Sequence, residues 1–163
     1  MRAFWLLLPA ILSIGCLSRE ARQASRMEGR YKLGDPGGGW KNVEPGGADY
    51  AFFNKDLNAT IYADSNCGER YEDSPPQDLV KHMVQGVAGP ELVSERTFTL
   101  DGREAYAARR TGKLDGVPVE LGVTVVKKDR CIYDIVLITA PGAPYERARD
   151  AYEAVVGGFR TEP

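Results

Sequence analysis

The stretch 91–139 most constrains what this chain can fold into, because it reads as four strands with almost nothing between them. Segments 91–100, 103–113, 117–127 and 131–139 are separated by two or three residues each, with the turns at Asp101-Gly102, Asp115-Gly116 and Lys128-Asp129-Arg130. Connections this short join antiparallel neighbours, since a parallel pair needs a crossover of a dozen residues or more. A meander is therefore predicted. In 117–127, Val117, Val119, Leu121, Val123 and Val125 alternate with Pro118, Glu120, Gly122 and Thr124, the pattern of a strand with one face in and one face out. In 131–139, Tyr133, Ile135 and Leu137 take one face while Ile132, Val136 and Ile138 take the other. Both faces of that strand are covered, which makes it the central one. Asp134 interrupts its apolar run. An acid there either has a partner or carries a raised pKa, and an arginine neighbour with a structural role is the expectation.

A sheet covered on both faces needs a helix on each. Ser74 reads as an N-cap, with Pro75 in the first helical position and Gln77 completing a capping box. From there to about residue 88, Leu79, Val80, Met83, Val84 and Val87 lie on one half of the helical circumference. His82, the single histidine, falls on the opposite, polar face and reads as a surface residue. A second helix over 144–156 places Ala148, Tyr152 and Val155 at helical spacing, with Phe159 following and Gly157-Gly158 as the stop. Two more strands, 49–54 and 59–64, precede the first helix. The glycine clusters at 35–39 and 44–47 are turns; no Lys-Ser/Thr follows them, so they are not phosphate loops. The fold class is α+β, a twisted antiparallel sheet between helices, in a single domain over 31–163.

The N-terminus is of another kind. Arg2 precedes an apolar run over 3–15 that ends at Cys16, too short to span a bilayer and apolar on every side. Leu12-Ser13-Ile14-Gly15-Cys16 resembles the lipobox of bacterial lipoproteins, with Leu12 one position further from the cysteine than the family pattern has it. The resemblance implies a signal peptide over 1–15 and a diacylglycerol thioether on Cys16, followed by a polar, flexible linker over 16–30. An ordinary secretory signal cut nearby is the competing reading. Leu17, in place of the aspartate that holds enteric lipoproteins at the inner membrane, favours the outer membrane facing the periplasm. Export puts Cys67 and Cys131 in an oxidising compartment, where they form either one disulfide or two free buried thiols.

Within 40–160, the turn Leu100-Asp101-Gly102-Arg103-Glu104-Ala105, the Tyr133-Asp134 pair and the closing Gly158-Phe159 resemble small bacterial lipoproteins with the PsbP/Mog1-like sandwich fold. That resemblance implies interaction proteins and transfers no particular activity.

The chemistry-bearing residues agree with a non-enzymatic role. Lysines and arginines are scattered among acids at a net charge of -2, so nothing attracts nucleic acid. A Ser-His-Asp triad would have to use His82, and there is no clustered Cys/His spacing for zinc. No cofactor or metal is expected. The reading is a membrane-anchored envelope lipoprotein whose partners are the membrane, through Cys16, and an envelope protein. The alternative is a periplasmic small-molecule or anion binding domain using Arg103, Tyr106, Arg109 and Arg110. Arg109 and Arg110 are adjacent in a strand, however, and so point to opposite faces.

Overall fold

In the computed structural model, which describes residues 29–68 and 74–162, the meander forms as its turns require. The elements are β1 (Tyr31–Lys32), β2 (Trp40–Asn42), β3 (Tyr50–Asn54), β4 (Ala59–Cys67), α1 (Pro76–Met83), β5 (Ala88–Leu100), β6 (Arg103–Leu114), β7 (Val117–Lys128), β8 (Cys131–Thr139), α2 (Ala143–Gly157) and β9 (Arg160–Thr161). Seven strands form one sheet in the order β2-β3-β4-β8-β7-β6-β5, with β8 in the middle, and β1 pairs with β9 beside it. All neighbours are antiparallel.

Each face carries its own core. Under α1, Leu79, Val80, Val84 and Val87 meet Tyr106, Leu121, Val123, Val125 and Val136. Under α2, Ala148, Tyr152, Val155 and Val156 meet Ile61, Ala63, Val126, Ile135 and Leu137. The period of two sends alternate residues of β7 and β8 to the two cores, which is why β8 is apolar throughout.

Four expectations need correction. β7 is not open on one side: residues 119–126 are all buried. Its polar side chains face α2 and find partners on α2 and on β6. Thr124 Oγ1 and Tyr152 Oη lie 2.7 Å apart, and Glu120 is ion-paired to Arg109. Gly122 admits the helix, since a Cβ there would lie 2.9 Å from the Tyr145 hydroxyl. Polar alternation thus marks a helix with polar groups on its inner face rather than solvent.

The first helix begins one residue later than the capping box implies. Pro75 is the N-cap and makes no side-chain cap bond, while Pro76 takes the first turn. Ser74 stands outside, its carbonyl accepting a bond from Lys127 Nζ at 2.9 Å. The helix also stops at Met83, and residues 84–87 form a turn in which the Val87 amide donates to the Val84 carbonyl. Gly86, the weakest helix former there after proline, suits that turn. Ala88 already belongs to β5.

Gly29, which falls within the expected linker over 16–30, is already part of the fold. Its amide donates to Ser65 Oγ at 3.0 Å, and Ser65 donates to Asp49 Oδ2 at 2.6 Å. Tyr31 also donates to Asp49 Oδ2, at 3.1 Å, from a ring cluster with Tyr50, Tyr133 and Phe159. Burial, then the Asp49 charge, push the Tyr31 hydroxyl pKa upward. The surroundings of Asp134 are the fourth departure, with a carboxylate across the ladder in place of an arginine. Cys16 and residues 1–15 lie outside the described residues.

The sheet has two distinct ends. At one, the disulfide end, lie the turns 101–102 and 129–130, the Cys67–Cys131 bond, and Gly29, where the chain enters. The register places Cys67 directly opposite Cys131. At the far end lie the turn 115–116 and the start of β5. β7 runs the whole way, and its 12 residues put the ends about 40 Å apart.

Candidate functional site

Arg103, Tyr106, Arg109 and Arg110 all lie on β6 but do not converge. Arg109 pairs with Gly122 and faces α2, whereas Arg110 pairs with Leu121 and faces α1, where Tyr106 also lies. Arg109 is already committed. Its Nε is 2.5 Å from Glu120 Oε1, its Nη1 is 2.7 Å from Glu146 Oε1, and its guanidinium stacks 4.2 Å above the Tyr145 ring. Glu120 is only 1% exposed, and its second oxygen accepts the Gly142 amide at 2.7 Å. The charge of Arg109 therefore ties β6, β7 and the start of α2 together, and two carboxylates already match it.

On the other face Tyr106 donates to the Glu95 carboxylate, and burial followed by that bond raises its pKa. Arg110 lies beside it, with a buried Nε that has no hydrogen-bond partner among the described residues. A cleft of about 190 Å³ opens between β5, β6, β7 and α2, floored by Ala107 and Gly122 and flanked by Arg96, Arg109 and Glu153. Both of its arginines are ion-paired, Arg96 to Glu153 at 2.6 Å. A pocket lined by cancelled charges gives an anion little field to bind to.

Among the described residues, no arginine shifts Asp134. It stands directly opposite Asp64 across the β4–β8 ladder and is 9% exposed. Burial, then the Asp64 charge, then Asp49 push its carboxyl up to about 7. Two carboxylates sharing one register position is an arrangement that reading each strand separately does not show.

At the disulfide end, Arg103, Lys127, Lys128 and Arg130 line a cleft of about 210 Å³ together with Gly68 and Asp129. Lys128 donates to Asp101 Oδ2 at 2.7 Å, and Asp101 also accepts the Thr161 amide at 2.9 Å. Those bonds, Lys128 first, hold the Asp101 carboxyl down at about 2. Of the four cations, only Arg103 was expected at a site. The others cluster because the turn 129–130 and the end of β7 meet the start of β6, a juxtaposition that depends on the register.

At the far end lie Leu114 and Val117, 38% and 62% exposed, and four to five residues inward along β5 lie Leu92 and Val93, 47% and 49% exposed. They are the exposed large apolar residues among those described. Beside them is a shallow depression of about 490 Å³ lined by Ala88, Glu91, Thr111, Lys113, Pro118 and Pro141. Among the described residues no helix is long and apolar enough to cross a membrane.

Two covered faces, a seven-stranded antiparallel sheet and a meander running into the last helix define the PsbP/Mog1-like α+β fold. No family model and no curated protein matches the chain. Among solved structures it is similar to LpqN of Mycobacterium tuberculosis, described as involved in cell envelope biogenesis. That likeness has 15% identity over 83% of this chain and 86% of LpqN, with a TM-score of 0.59. It is also similar to the cyanobacterial PsbP of Synechocystis, with 14% identity, 95% and 99% coverage and a TM-score of 0.55. The Ran-binding protein Mog1p of Saccharomyces cerevisiae has 16% identity, 76% and 86% coverage and a TM-score of 0.55. At these identities the likeness is one of fold.

Proposed function

We propose that the chain is a bacterial envelope lipoprotein with a non-enzymatic accessory role, anchored through Cys16 and docking an envelope protein with its far end. The observation that carries this reading is the distribution of exposed apolar side chains. Leu92, Val93, Leu114 and Val117 all lie toward the end of the sheet opposite Gly29, where the chain leads back toward Cys16. Exposed apolar surface on a well-packed domain marks an interaction site. An anchor leaving the disulfide end turns that surface away from its own membrane, so its natural occupant is another protein. The alternative of an anion site on Arg109 is weakened by the two carboxylates that already hold it. LpqN, described as acting in cell envelope biogenesis, supports the envelope setting, and Leu17 favours the outer membrane over the inner.

The test is site-specific photo-crosslinking in the native host. A crosslinker at Val117 or Leu92 is expected to capture one envelope protein, and a crosslinker at exposed Lys41 none. Equal, diffuse crosslinking from all three positions would refute docking by the far end.

A further inference from the structure

We propose that the basic cleft at the disulfide end seats on the phosphate-bearing lipid headgroups of the membrane that holds Cys16, so that the domain stands upright with its far end outward. This rests on the anchor reading above.

The turn beside the cleft carries the argument. Three two-residue hairpin turns join the strands of the meander, and all have both central residues at positive φ. Two are Asp-Gly: Asp101-Gly102 at 48° and 77°, and Asp115-Gly116 at 50° and 82°. The third is Asp129-Arg130, at 52° and 64°. Glycine adopts this left-handed region freely, and a residue with a Cβ does so at a cost. The same chain thus uses glycine twice at this position and arginine once, and the arginine falls beside Arg103, Lys127 and Lys128, of which Lys128 is paired with Asp101. A strained residue that persists beside a cleft points to a function for its side chain.

The surroundings hold that arginine in place. The Arg130 carbonyl accepts the Gly68 amide at 3.0 Å, and the next residue, Cys131, is bonded to Cys67. Arg103 is exposed and makes no ion pair among the described residues. The last described residues before the anchor, Gly29 and Arg30, lie at this same end, so a chain tethered there brings the cleft to the bilayer surface first. Anionic headgroups attract cations within a Debye length of that surface, each Lys or Arg strengthening association about fivefold.

The test uses the full lipidated chain in phosphatidylcholine vesicles with or without about one third phosphatidylglycerol. An arginine-directed dicarbonyl reagent is applied, and modification of each arginine is followed by peptide mass spectrometry. Arg103 and Arg130 are expected to react about fivefold more slowly on the anionic vesicles, and to recover in high salt. Exposed Arg147 on α2 is the control and should not change. Arg130→Gly should keep a cooperative melting transition, since glycine adopts this turn freely, while weakening the protection of Arg103. A folding defect alone cannot produce that pair of results.

Equal reactivity of Arg103 and Arg130 on both vesicle types would overturn the proposal. So would equal protection by inorganic phosphate on the neutral vesicles, which would make the cleft a site for soluble anions. The N-terminal peptide mass reports separately whether Cys16 carries lipid, so a failure of the anchor is told apart from a failure of the cleft.

Discussion

Asp134→Asn is expected to make this protein more stable at alkaline pH than the native sequence. Asp134 is buried in the central strand opposite a second carboxylate, and its pKa stands at about 7 against an ordinary 3.8. In the folded state the group holds its proton to a higher pH than in the unfolded state. Its contribution is therefore fully favourable below pH 3.8, and it is lost as pH rises toward and through about 7. At 1.36 kcal/mol per pH unit, the loss above pH 7 is on the order of 4 kcal/mol. Asparagine has the same shape and never ionises. Its advantage should be about 4 kcal/mol at pH 8 and below about 2 kcal/mol at pH 5, read from urea denaturation midpoints at an unchanged slope. An advantage that does not vary between these pH values, or an asparagine that destabilises equally at both, would refute the burial argument.

Three other perturbations follow from the packing. Replacing both Cys67 and Cys131 with serine removes a bridge closing 64 residues and should cost about 4 kcal/mol in equilibrium unfolding under non-reducing conditions. Glu120→Ala leaves Arg109 short of its buried partner and frees the Gly142 amide; a loss of about 3 kcal/mol is expected, with early amide exchange at the start of α2. Gly122→Ala places a methyl 2.9 Å from the Tyr145 hydroxyl and 3.1 Å from the Tyr152 ring, which should cost about 1–3 kcal/mol and lower the calorimetric melting temperature.

The parts of the fold that were legible in the sequence are those set by local rules. Asp-Gly turns and two-sided apolar alternation are properties of neighbouring residues, and they placed the meander, the central position of β8 and a helix on each face. What stayed hidden depends on register. Glu120 and Thr124 look solvent-facing until α2 brings Glu146, Tyr145 and Tyr152 over them. Asp134 seems to ask for an arginine because nothing local shows that Asp64 stands across from it. The basic cleft joins Gly68, the turn 129–130 and residues of three strands, β6, β7 and β8. One signal for it was in view: arginine at the position of the third turn where the other two carry glycine.

The long outer edge of β5 bears on the docking proposed for the far end. β5 has 13 residues and, among the described residues, no neighbour on its outer side, whereas the opposite edge, β2, has three. A free edge of that length invites strand addition, and chains blunt such edges with proline, bulges and charge. β5 has all three near its apolar end: Pro90, register shifts between Ala88 and Glu91 and between Leu92 and Ser94, and the exposed charges of Glu91, Glu95 and Arg96. Backbone pairing is therefore discouraged where Leu92 and Val93 stand exposed. In the proposed docking their contribution would come through side-chain contact, as would that of Leu114 and Val117 at the neighbouring hairpin. A partner chosen this way would tolerate backbone changes along β5 and be lost on Val117→Asp, whereas an added strand would show the reverse.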